Sequence, residues 1–184
     1  MTNDIFLSPH FKLSEFVVSE TASRHGIDNT PPEEAVENLR RLCQGTLEPL
    51  REALQLPVVI TSGFRTKALN DRLAHSSERS QHMQGCAADF YVSSAASPRF
   101  KVQRAFGPVQ GSKVQGCREV LIKAFRLIIT SPEIDYDQLI LYPNFIHVSY
   151  VSKERNRHNI LKARSNGKLG YGKLSYANAI LLNY

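Results

Sequence analysis

Apolar residues recur at three- and four-residue spacing through Val36, Leu39, Leu42, Cys43, Leu47, Leu50 and Leu54, which predicts a helix over residues 32–55. Thr30-Pro31-Pro32-Glu33 supplies its start, with proline and acid in the first turn, and Gly45 and Pro49 are the positions that bend or divide it. A shorter helix is expected over 13–20, with Ser14 as a cap. After Pro57 the β-branched run Val58-Val59-Ile60-Thr61 reads as a buried strand, ended by Ser62-Gly63 and followed by a helix over about 66–74. Cys86 to Val92 is a second strand, and 118–130 an amphipathic helix closed by Ser131-Pro132. Two apolar runs, 137–142 and 145–151, flank Pro143-Asn144 as a hairpin. Between them and the second strand, residues 93–117 lose periodicity, turn rich in Ser, Gly and Pro, and read as a surface insertion or a lid. The fold class is α+β: a small antiparallel sheet with flanking helices.

Length and charge refine this picture. A chain of 184 residues is one domain's worth. Residues 152–184 hold seven basic residues against Glu154 alone, which is the whole of the net +6. The domain therefore spans 1–151 and the remainder is a basic C-terminal extension, either solvated or facing an anionic partner. No apolar run is long enough to span a bilayer, and the N-terminus lacks the pattern of a secretory signal. Synthesis in the cytoplasm is the expectation. Three widely spaced cysteines (Cys43, Cys86, Cys117) argue for reduced thiols, not a disulfide framework.

The chemistry concentrates in Ser80-Gln81-His82-Met83-Gln84-Gly85-Cys86-Ala87-Ala88-Asp89. His82 and Asp89 can share a metal ion if the chain folds back between them, and Gly85 with the small residues after it allows that approach. A third donor from a distant strand would complete a three-ligand site with one open position, the pattern of catalytic zinc. His147, in Phe145-Ile146-His147-Val148-Ser149-Tyr150, is the candidate. A lone histidine on an apolar strand is otherwise a core residue.

SGFRT, ALN, SQHMQGCAADF and DQLI…FIHVSY, in this order, resemble the zinc D-alanyl-D-alanine carboxypeptidase family, which includes phage endolysin peptidases and shares its metal-site fold with the signalling domain of hedgehog. HFKLSEFVVSETA…GIDNTPP is similar to its short phage- and mobile-element-associated members. The resemblance runs over about residues 5–151, apart from 93–117. It implies a zinc ion held by His82, Asp89 and His147, and places Arg65 in the active site facing a substrate carbonyl or carboxylate. Asn70 and Ser80 match positions that brace the site beside the substrate. Cys86 matches a small packed residue, not a ligand. The implied activity is that of a zinc metallopeptidase on bacterial peptidoglycan stem peptides, as a D-Ala-D-Ala carboxypeptidase or an endolysin-type endopeptidase acting at the cell wall. A monomer is expected; a nucleic-acid partner, suggested by the tail alone, is not.

One element departs from the pattern. Peptide hydrolysis at zinc needs a proton acceptor for the attacking water. Related sequences place an acid shortly before the last histidine, where this chain has Tyr142 and Asn144. If Pro143-Asn144 is a two-residue turn, Ile140 lies opposite His147, so Gln138, Ile140 and Tyr142 share its face and Asp137 points away. Asp137 and Tyr142 remain the catalytic candidates beside Arg65, although a tyrosine is a poor base near neutrality. The alternative is a zinc-binding, non-catalytic module of the same fold that binds cell wall or protein.

Overall fold

The computed structural model describes residues 4–74, 76–93, 111–163 and 170–182, with backbone alone for 111–117. A short hairpin, β1 (Phe6–Ser8) and β2 (Phe11–Lys12), leads into helices α1 (Leu13–Val17), α2 (Glu20–His25) and α3 (Glu33–Leu42). The expected long helix is continuous to Leu54, but its two halves, α3 and α4 (Glu48–Leu54), are joined by a π-helical turn over Cys43–Leu47. Pro49 falls in the first turn of α4, where a missing N–H is tolerated. Gly45 lies inside the π turn, where a Cβ would come within 2.8 Å of the Tyr150 ring, so the close approach of that ring favours glycine.

Strands β3 (Val58–Ser62), β4 (Ala87–Val92), β5 (Gln138–Leu141), β6 (Ile146–Ser149), β7 (Asn159–Ala163) and β8 (Tyr171–Lys173) form one sheet in the order β3-β4-β6-β5-β7-β8. Helix α5 (Lys67–Arg72) follows β3, capped by the Thr66 hydroxyl. Helix α6 (Gly111–Thr130) precedes β5, and α7 (Tyr176–Ile180) follows β8. The architecture is α+β. The four strands expected from sequence pair antiparallel, as expected. The sheet is nevertheless mixed, because β7 pairs parallel with β5, and residues read only as a basic extension supply β7 and β8. Of the stretch expected to be irregular, 111–117 is already helix; 94–110 lie outside the described residues.

Alternation divides the sheet into two faces. Phe90, Val92, Leu139, Leu141, Ile146 and Val148 turn toward the helices and join Leu39, Leu42, Leu47, Leu50 and Phe125 in one core. Each such fully buried side chain contributes about 1.5–3 kcal/mol. The opposite face presents one cross-strand row: Ser62, Asp89, His147 and Ile140, on β3, β4, β6 and β5 respectively. Tyr142 N donates to Phe145 O at 3.0 Å, closing the two-residue turn. That turn fixes Ile140 opposite His147, the register inferred from sequence.

Candidate metal centre

Gln81–Gln84 makes one 3-10 turn that ends at Gly85, whose φ of +71° glycine adopts without strain. A Cβ at Gly85 would lie 2.3 Å from Ala35 O, so the same glycine lets the turn seat against α3. His82 is thereby buried, and its Nδ1 lies 2.7 Å from the Gly63 carbonyl. A carbonyl only accepts, so Nδ1 carries the proton and Nε2 keeps its lone pair.

That lone pair meets two other donors. His82 Nε2 is 3.2 Å from His147 Nδ1 and 3.4 Å from Asp89 Oδ1, and His147 Nδ1 is 2.8 Å from Asp89 Oδ1. Ligands around a tetrahedral ion bound at ~2.0–2.1 Å stand about 3.3–3.4 Å apart. The two nitrogens and one oxygen therefore fit one face of such a tetrahedron, with the fourth corner left for water or substrate. Among the described residues, His82, Asp89 and His147 are the group placed to share an ion. Cys86 is buried and stands outside it, and burial pushes its thiol up. Burial alone would raise the Asp89 carboxyl, but the His82 and His147 rings hold it well below the usual carboxylate range.

The donors line an open cavity of about 640 Å³. Arg65 lies beside them: its Nη2 donates to Asp89 Oδ2 at 3.1 Å, and Nε and Nη2 both reach Ser62 Oγ. Nη1 takes no part in these bonds. Ser80 lines the cavity directly ahead of the turn. Asn70 is fully covered and sits outside the lining, where its amide donates to Ser77 O at 3.0 Å and ties α5 to the loop that leads into the metal motif.

The two base candidates sit at opposite ends of β5. The Tyr142 ring stacks on Phe145 at 4.2 Å, and its hydroxyl lies 2.8 Å from that of Tyr171. Burial, then the Tyr171 contact, pushes the phenol above its ordinary range, so it is a hydrogen-bond donor at neutral pH. Asp137 does not point away, as alternation suggested. It stands one residue ahead of β5, where the strand's alternation does not bind it, and it lines the same cavity. Its carboxylate accepts from Gln81 Nε2 at 2.8 Å, from Arg157 N and Nε at 2.9 and 2.8 Å, and from Arg157 Nη2. Burial raises the Asp137 carboxyl, and the Arg157 and Gln81 bonds outweigh it and hold it low.

A family profile described as Peptidase M15 matches residues 9–121, more than half of the chain. The chain belongs to the peptidase M15 family. The matched span contains Arg65, Asn70, Ser80, His82 and Asp89 and stops before His147, which the register of β4 with β6 brings beside Asp89. No curated protein matches the chain. Among the cavity residues that went unread in the sequence are Gln81 and Arg79, and Arg155, Arg157 and Tyr171 from the tail. Gln81 had a signal, its place beside His82. The tail residues had none, since they reach the site only through the parallel pairing of β7. Among the described residues, no helix is long and apolar enough to cross a membrane.

Proposed function

We propose that the chain is a zinc peptidase acting on peptidoglycan stem peptides, either removing a terminal D-alanine or cutting within the peptide. The observation that carries this is the triangle of His82 Nε2, His147 Nδ1 and Asp89 Oδ1 at 2.8–3.4 Å, with the other His82 nitrogen fixed on Gly63 O. When bound there, zinc supplies a Lewis acid that activates water and polarises a carbonyl. Arg65 orients the substrate: it is anchored on Ser62 and Asp89, and a guanidinium suits a terminal carboxylate or a developing oxyanion. The Tyr142 hydroxyl is a second donor. Asp89 is committed to the metal, so Asp137 is the remaining carboxylate in the cavity lining, and it stands three residues along β5 from the position that faces His147, outside direct reach of a metal-bound water. Its bonds to Arg157 and Gln81 make it a weak base, and turnover is accordingly slow.

The same two features, a tyrosine at position 142 and a bonded Asp137, favour a second reading in which the site binds wall peptides without cutting them. Zinc content by mass spectrometry, with D-alanine release from an N-acetylated pentapeptide ending in D-Ala-D-Ala, tests both. One zinc per chain with measurable release supports the peptidase. Zinc and peptide binding without release leaves the binding module, and a protein that holds no zinc overturns both.

A further inference from the structure

Four arginines line the cavity (Arg65, Arg79, Arg155 and Arg157) against two carboxylates. Both carboxylates are spent, Asp89 on the histidines and Arg65, Asp137 on Arg157 and Gln81. Arg79 and Arg155 are exposed, and neither has a carboxylate within ion-pair reach among the described residues. Their placement is not scattered. Arg155 is two residues before Arg157 and Arg79 two residues before Gln81, and Arg157 and Gln81 both grip Asp137. The two unmatched cations therefore gather at the Asp137 end of β5, while Tyr142, Phe145 and Tyr171 gather at the other. His147 faces Ile140, three residues from Asp137. At about 3.3 Å per residue, the cationic end stands about 10 Å from the metal donors along the strand.

We propose that Arg155 and Arg79 form a second anion subsite, which selects peptides carrying a free side carboxylate two to three residues from the carbonyl held at the metal. An extended peptide covers ~10 Å in three residues, so one ligand spans both places. The cavity's surplus of positive charge, increased further by a divalent ion, disfavours peptides that are neutral or basic at that position. This assigns a use to the basic tail: β7 and its preceding loop deliver Arg155 to the substrate. It rests on the peptidase reading for the metal end only.

The test uses two N-acetylated pentapeptides ending in D-Ala-D-Ala, identical except that the third residue from the scissile carbonyl carries a free side carboxylate in one and a carboxamide in the other. Their affinities for the zinc-loaded full chain are compared by calorimetry at low and high salt. The carboxylate peptide is expected to bind about tenfold tighter, with the preference shrinking in salt. Arg79→Ala combined with Arg155→Ala should abolish the preference, and Arg155→Lys should keep part of it, with zinc content and melting temperature as fold controls. Equal binding of the two peptides, or a preference that survives the double substitution, overturns the subsite while leaving the peptidase reading intact. Failure of both peptides to bind overturns the two together.

Discussion

The hydroxyls of Tyr142 and Tyr171 lie 2.8 Å apart, joining the end of the strand beside the metal donors to the outermost strand of the tail. Tyr142 follows β5 on the His147 face, where the family resemblance leads to the expectation of an acid, and burial keeps it protonated. Tyr142→Glu should therefore raise hydrolysis of a D-Ala-terminated peptide by part of the ~10²–10⁴-fold that general acid–base help supplies. Tyr142→Phe keeps the ring on Phe145 and should lower kcat with zinc content unchanged. A glutamate variant no faster than the parent protein would show that proton transfer is not what limits this site.

Loss of the histidines has a sharper signature. His82→Ala or His147→Ala removes one of three donors, and the remaining pair no longer defines a tetrahedral face. Zinc should be lost from both variants, and the zinc-dependent part of the melting temperature should vanish with it. Full zinc retention in both would overturn the ligand assignment.

Arg65 acts on substrate in the sequence reading, but its Nη2 also holds the far oxygen of Asp89. Groups that orient a metal ligand typically contribute 10–100-fold in metal affinity, so Arg65→Ala should weaken zinc binding by about that range as well as depress turnover. Zinc competition with a chelator separates the two effects. Unchanged affinity would return Arg65 to a role on substrate alone.

The Asp137–Arg157 pair predicts an acid-sensitive fold. The folded carboxyl is held below its unfolded value of about 3.9, so its contribution is fully present above that pH and disappears as pH falls through the folded value. Glu48, bonded to Ser8 and His10, adds a term of the same sign. Asp137→Asn should lower stability by about 1–3 kcal/mol at pH 7, and its denaturation midpoint should converge on that of the parent protein as pH falls from neutral through the folded value of the carboxyl. A constant gap across this window would show that the charge of Asp137 is not what stabilises the loop.

The parts of the molecule legible in sequence are those set by local periodicity and by short turns. Leu39, Leu42, Leu47 and Leu50 announce their helix, and Pro143-Asn144 fixes the register that sets Ile140 against His147. Spacing put His82 and Asp89 within reach of one ion, whereas the choice of His147 as their third member rested on the family resemblance, since a lone histidine on an apolar strand reads as core. Helix α2 was missed because Ala22 is its one buried residue, too little for a periodic signal. The parallel pairing of β7 with β5 and the Arg157–Asp137 bond were missed for a different reason. Each joins segments about 20 residues apart through contacts that no spacing rule encodes.

The position of β7 also bears on how the protein stays dispersed. Without it, the apolar run Gln138–Leu141 would be an edge, offering unpaired backbone groups to any passing strand, a template for aggregation. With it, the outward edge moves to β8, three residues long, interrupted by Gly172 and ending in Lys173. A short, charged edge is a poor template. Shortened versions of the chain that stop after Val151 should accordingly precipitate even where their helices and metal donors are complete.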